Sequence, residues 1–232
     1  MKRSLLILSL ISLPSHADLV ESIEKFTDIF GVSLSNSNGE TIYTLDVTYD
    51  VTDNLRVFGD IDTESNWEAG FGYSFWQGET YYTENTIKVN DRQYSTGIFV
   101  AKVLNDRWIA IGDINYNYKL EVDDPLCKGM DICNGNPFGV SYLPSDSIDY
   151  SLGAMWSAHT YVDLLYKFNQ EVGTSHNVIT AFDSGRVKVA RTNLIYHEAI
   201  MYLNLKYIRP SVTYTISEHF ENSVEFGLTF DF

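Results

Sequence analysis

The chain of 232 residues contains two cysteines, five prolines and only 16 Lys and Arg against 31 Asp and Glu. Each shortage excludes something. A membrane-crossing helix needs about 20 consecutive apolar residues, and the longest apolar stretch, from Leu5 to Leu13, stops well short of that. A formal net charge of −15 argues against nucleic acid as a partner, because phosphate binding requires clustered Lys and Arg. Two thiols with no histidine beside them do not complete a tetrahedral metal site, so neither a metal nor another cofactor is expected. What the chain has instead is aromatic residues, 14% of the total, and an alternation of apolar and polar side chains.

The first 17 residues read as a secretory signal peptide. Lys2 and Arg3 form a charged start, an apolar stretch follows, and Ser15-His16-Ala17 puts small residues at the two positions a signal peptidase inspects. Cleavage before Asp18 would remove two bases and no acid, taking the formal charge from −15 to −17. Export to an oxidising compartment is expected to pair Cys127 with Cys133. That bridge would staple a loop tip, with a small ring worth roughly 2–3 kcal/mol.

From Leu19 to Phe30 the apolar residues Leu19, Val20, Ile23, Phe26, Ile29 and Phe30 fall at helical spacing. Two expectations stand side by side: a short amphipathic helix over about 18–28, plugging or rimming the rest, or an irregular lead-in. Beyond it the period is two, the signature of strands. Tyr43, Leu45, Val47, Tyr49 and Val51 alternate with Thr44, Asp46, Thr48 and Asp50. The pattern predicts about twelve strands, at 29–36, 40–51, 55–63, 66–76, 79–90, 93–104, 107–122, 147–157, 160–171, 195–208, 211–217 and 223–232. Ten would result if the first hairpin or the poorly patterned 79–104 region does not form strands. Turns are expected at 52–54, 105–106, 157–159 and 209–210. The stretches 123–146 and about 173–194 have loop composition, the latter with room for a hairpin.

The last nine residues carry the most specific pattern. Val224, Phe226, Leu228, Phe230 and Phe232 alternate with Glu225, Gly227, Thr229 and Asp231. The polar Glu225, then Gly227, then Phe230 and a final Phe232 resemble the C-terminal assembly signal of Gram-negative outer-membrane β-barrel proteins. Together with the leader and the alternation, the tail makes the chain similar to that class as a whole. The resemblance implies an all-β fold, a transmembrane antiparallel up-and-down barrel occupying 18–232. It also implies an outer-membrane location, contact with outer-membrane lipids and lipopolysaccharide, and periplasmic chaperones and the barrel-assembly machinery as partners in biogenesis. More loosely, a short helix followed by about twelve strands resembles a solitary autotransporter translocator barrel. Tyr49, Tyr73, Phe75, Tyr166, Phe168, Tyr207, Phe230 and Phe232 lie near the ends of apolar faces, where interfacial girdles place aromatic rings.

In such a barrel the polar face lines the lumen. The expected lumen-lining charges are Asp46, Asp50, Arg56, Asp60, Glu68, Asp113, Lys119, Asp163, Lys167 and Lys206, with Asp62, Glu121, Asp149, Glu225 and Asp231 on the same assignment. They point either to an aqueous path with a mild preference for cations or to a closed interior of paired charges. Oligosaccharide channels of similar length that attract anions depend on basic lumens, and this acidic chain departs from that pattern. Catalysis finds little support. Ser175 and His176 are sequence neighbours and would point to opposite faces of a strand, unlike the nucleophile and base of outer-membrane lipid hydrolases. The expected function is therefore non-enzymatic, a narrow channel or a structural or surface protein. Adhesion or receptor binding through loops 123–146 and 173–194 is the alternative, and a lipid hydrolase is a distant third. Deleting Phe232 is expected to leave export intact and impair insertion, read by membrane fractionation and heat-modifiable gel migration. Normal assembly of the truncated chain would overturn this reading of the tail.

Overall fold

A strand that enters lipid exposes a row of backbone N–H and C=O groups that no water can satisfy, so alternating strands at a membrane must pair on both edges and close. The chain does so. The computed structural model describes residues 30–37, 40–78, 80–123, 140–181, 185–219 and 221–230. Twelve of its strands form one closed barrel. In chain order these are β1 (Phe30–Ser37), β2 (Glu40–Thr52), β3 (Leu55–Asp62), β4 (Trp67–Gln77), β5 (Tyr81–Asn90), β6 (Gln93–Asn105), β7 (Trp108–Lys119), β10 (Ser147–His159), β11 (Val162–Gly173), β14 (Asn193–Leu203), β15 (Ile208–Ser217) and β16 (Ser223–Phe230). The remaining strands, β8 (Val122–Asp123), β9 (Val140–Leu143), β12 (Asn177–Ala181) and β13 (Gly185–Val189), make a separate four-stranded sheet. Every pairing is antiparallel, and β1 closes the barrel against β16 with Gly31 opposite Thr229 and Leu34 opposite Phe226.

The connections divide by length. At one end, β2–β3, β4–β5, β6–β7, β10–β11 and β14–β15 are joined by two to four residues. At the other end lie the long segments between β7 and β10 and between β11 and β14. Outer-membrane barrels keep short turns on the periplasmic side and long loops outside, which orients the molecule. The small sheet is built from those two long segments, with β9 of the first pairing β12 of the second.

Side chains alternate across the wall as the period of two requires. Leu45, Val47, Val57, Phe71, Ile87, Ile98, Ile114 and Leu152 are exposed on the outer surface, where lipid covers them. Aromatic residues border this band. Near the periplasmic end Trp108 stacks on Trp156 with centroids 5.9 Å apart, and Tyr49, Tyr161 and Tyr207 are exposed close by. Towards the extracellular end stand Trp67, Tyr94 and Tyr118.

Several local expectations need correction. Ser157 and His159 belong to β10, whose turn is Thr160–Tyr161 instead of 157–159. Arg209 and Pro210 lie inside β15, and the turn before it spans 204–207. Proline is tolerated there because the β14–β15 ladder begins only at the Tyr202–Ser211 pair, so Pro210 has no β14 partner needing its N–H. The 173–194 stretch does contain a hairpin, β12–β13. Residues 18–28, the two cysteines and Phe232 lie outside the described residues.

The outer face makes a direct prediction. Leu152 is 65% exposed in the body of β10. Replacing it by Arg should destabilise the barrel by about 2–4 kcal/mol if that face meets the bilayer midplane. Urea unfolding in lipid vesicles measures the loss, and an unchanged midpoint would contradict the outward assignment.

Candidate functional site: the barrel lumen

The inward positions of the strands carry a dense set of charges. Acids are Asp46, Asp50, Asp60, Glu68, Glu84, Asp113, Asp149, Asp163, Glu171, Glu198 and Glu225; bases are Arg56, Lys88, Lys119, Lys167 and Arg209. Each base is committed to one acid. Arg56 grips Glu84 with Nε 2.9 Å from Oε1 and Nη2 on Oε2. Lys88 meets Glu68 at 2.9 Å, Lys119 meets Glu171 at 3.2 Å, Lys167 meets Glu198 at 3.3 Å and Arg209 meets Asp163 at 3.3 Å. Six carboxylates are left without an ion-pair partner among the described residues: Asp46, Asp50, Asp60, Asp113, Asp149 and Glu225.

Two of the pairs are dry. Glu84 and Asp163 each have side chains 2% exposed, and a buried charge is stable only when its remaining valences are also met. Tyr82 donates its hydroxyl proton to Glu84 Oε2 at 3.0 Å. Asn204 donates to Asp163 Oδ2 at 2.7 Å and accepts from Arg209 Nε at 2.9 Å, while the Arg209 guanidinium lies 4.1 Å over the Tyr202 ring. Arg56 and Glu84 sit on β3 and β5, with β4 between them. They meet because β4 offers Gly72 at the crossing: a Cβ there would stand 2.1 Å from Glu84 Oε1 and 3.4 Å from Arg56 Nε. Gly97 plays the same part for Asn115, whose Oδ1 would lie 1.9 Å from an added Cβ.

Two of the unpaired acids, Asp46 and Asp60, stand side by side next to the paired Glu68. Antiparallel register sets Asp46 opposite Asp60, and Asp60 opposite Glu68, so three adjacent strands present a row of carboxylates. Like charges directly opposite one another are destabilising unless water or cations screen them. This row borders a cavity of about 370 Å³, also lined by Thr48, Arg56, Phe58, Glu84, Thr86, Lys88, Phe99, Asp113 and Asn115. Below it, towards the periplasmic end, one side of the lumen is packed solid. Tyr82, Ala101, Val103, Ile109, Ile111, Met155 and Leu165 are buried there, with Trp76, Phe99, Ile200 and Tyr202 against them. Trp76 meets Tyr82 edge-on at 5.1 Å, and Tyr82 meets Phe99 at 6.1 Å. The facing strands β15, β16 and β1 carry Ser211, Thr213, Gly227, Thr229, Gly31 and Ser33 inward instead. The lumen is therefore filled from one side and lined with small polar residues on the other.

No family model matches the chain, and no curated protein matches its sequence. Solved structures do. The KdgM porin superposes with a TM-score of 0.63 at 8% identity, over 87% of this chain and 98% of that one. The NanC porin gives 0.61 at 8% identity, over 87% and 99%. An outer-membrane channel from Pseudomonas putida F1 gives 0.60 at 11% identity, over 87% and 94%. The fold is that of outer-membrane porins. At such identities the likeness is one of architecture, and this porin-like barrel must be read from its own residues. The KdgM porin has also been solved in complex with disordered oligogalacturonate.

Of the charges expected in the lumen, Asp46, Arg56, Asp60, Glu68 and Asp113 line the cavity. Lys119 and Lys167 are partly buried in ion pairs, and Asp163 is fully buried with Arg209. Asp50 is exposed near the periplasmic end of β2. Lys206 lies in the 204–207 turn, exposed, its ammonium 4.8 Å over the Tyr207 ring, because β14 ends at Leu203 and the alternation does not reach it. Asp62 serves its own turn, accepting the N–H groups of Glu64 and Asn66 at 2.9 Å each, and Glu121 is exposed beyond β7. Residues Glu84, Lys88 and Arg209 were not legible as lumenal. Strands β5 and β6 carry apolar side chains on both faces near the periplasmic end, which blurs the alternation that would have assigned Glu84 and Lys88, while Arg209 fell in the expected turn at 209–210. Ser175 and His176 are both exposed beyond β11, with the Ser175 N–H on Ser145 Oγ at 3.3 Å. His197 stands on the outer wall, its Nδ1 2.7 Å from the Tyr166 hydroxyl.

The Arg56–Glu84 bridge makes the sharpest test of this interior. Glu84→Ala would strand a buried guanidinium and should cost about 3–5 kcal/mol. Gly72→Ala should act in the same direction by driving the two side chains apart. Denaturant midpoints in detergent compare both with the parent chain, and two unaltered midpoints would show that the bridge contributes nothing.

Proposed function

We propose that the barrel is a non-enzymatic outer-membrane channel with a narrow lumen that favours cations. The observation that carries this reading is the imbalance inside: five bases, each held by an acid, and six carboxylates left over, of which Asp46, Asp60 and Asp113 border the cavity. Paired charges are electrostatically quiet, so the field in the lumen is that of the unpaired acids. Rings and rows of acids select cations at close quarters. Fold likeness to porins supports the channel reading. An oligogalacturonate, the polyanion seen with the KdgM porin, would be repelled here.

The two long extracellular segments supply a second reading. Because β8, β9, β12 and β13 fold into one sheet, the described parts of loops 123–146 and 173–194 offer a shared surface for adhesion or receptor binding. The channel reading explains the lumen, which that reading leaves unused.

Recording in planar bilayers under a KCl gradient is expected to show small single-channel conductance and a reversal potential of the cation-selective sign. Asp46→Asn with Asp60→Asn should reduce the cation-to-anion permeability ratio severalfold. Absence of conductance at every voltage would remove the channel reading, and an anion-selective reversal potential would remove the preference for cations.

A further inference from the structure

Among the described residues the outer wall holds an amide side chain with no hydrogen-bond partner. Asn85 is the fifth of ten residues in β5, faces outward and is exposed. Its side chain makes no hydrogen bond among the described residues. Register locates it within the lipid-facing band. On the β5–β6 ladder Asn85 sits opposite Ile98, Tyr81 opposite Lys102 and Val89 opposite Tyr94. Asn85 is therefore four residues from the level of the periplasmic Lys102 and four from that of the extracellular Tyr94. Four residues span roughly 13 Å along a strand, which places the amide near the middle of an apolar band about 25 Å tall.

Two other outward polar side chains in the strand bodies are tied down. Gln170 accepts from Tyr150 and donates to Asn193 at 3.0 Å, and His197 pairs with Tyr166. Asn85 has Tyr73 and Ile98 as its cross-strand neighbours, and the diagonal Thr96 is exposed beside it. Hydrocarbon offers an amide neither donor nor acceptor, so leaving it bare is costly. An asparagine side chain is both donor and acceptor, so two copies related by a two-fold axis satisfy each other with a reciprocal pair of hydrogen bonds. Symmetric dimers of this isologous kind are the commonest assemblies.

We infer that the outer face of β4–β6 is a self-association surface, through which two copies of this chain form a two-fold dimer in the membrane with Asn85 at its centre. This is independent of what the lumen conducts. The test uses the full chain with Cys127→Ser and Cys133→Ser, reconstituted in phosphatidylcholine vesicles. Asn85→Cys should give a disulfide-linked dimer on mild oxidation, whereas Tyr214→Cys, on the opposite wall, should not. Asn85→Leu in the parent chain should shift the monomer–dimer equilibrium at least tenfold towards monomer. Heat-modifiable migration verifies that each variant is folded, and the Leu variant should resist unfolding as monomer at least as well as the parent monomer. Cross-linking of Asn85→Cys no greater than that of Tyr214→Cys, or an unchanged equilibrium for Asn85→Leu, would overturn the inference.

Discussion

Hydrogen bonding between β1 and β16 is the interaction on which the rest of the molecule depends. Six residue pairs, from Gly31–Thr229 to Asn36–Val224, convert an open twelve-stranded sheet into a surface with no edge. Without them two rows of backbone donors and acceptors would face lipid, each group costing several kcal/mol. Closure also makes the inside an inside. Only because the wall is continuous can its polar face carry sixteen charges in a space sheltered from the bilayer. The apolar residues of the tail thus act twice, as one strand's lipid-facing side and as the last members of the ladder that seals the barrel.

Within that wall, charge and shape are organised differently along the axis. The ion pairs are local, linking strands that are neighbours or one strand apart, and two of them are buried deeply enough to need third partners such as Tyr82 and Asn204. Glycine at Gly72 and Gly97 supplies the space for side chains to cross a strand. Above, a row of carboxylates borders the cavity; below, an apolar cluster occupies one side. Packing and electrostatics therefore act on different walls. Dispersion and burial close the β4–β14 side, while the β15–β3 side stays small and polar. A barrel of twelve strands lies between the filled eight-stranded and the open sixteen-stranded kinds, and this interior divides its space in the same intermediate way.

The architecture was readable from the chain because lipid is a demanding solvent. A strand with hydrocarbon on one side and polar groups on the other shows period two in its residues, and residues 40–76, 108–119 and 147–171 show it plainly. Strand ends were less legible. His159 and Pro210 look like turn residues, yet their strands extend through them because the neighbouring ladder tolerates it. The lumenal roles of Glu84 and Arg209 were hidden for a related reason. Glu84 follows Tyr81 and Tyr82, apolar rings on both faces of β5, and Arg209 adjoins Pro210 where a turn was expected, so local alternation did not assign either to the wet face.

By itself the sequence determined that the chain is all-β, alternates over about twelve segments, and bears an excess of acids on the face away from lipid. Those follow from period and composition, which are local properties. Tertiary structure alone decided which acids keep a base. Pairing depends on register and on gaps such as Gly72, and register is set between strands that are distant in the chain. It likewise decided that Asn85 stands bare in the apolar band, since only the ladder to β6 reveals its height in the wall.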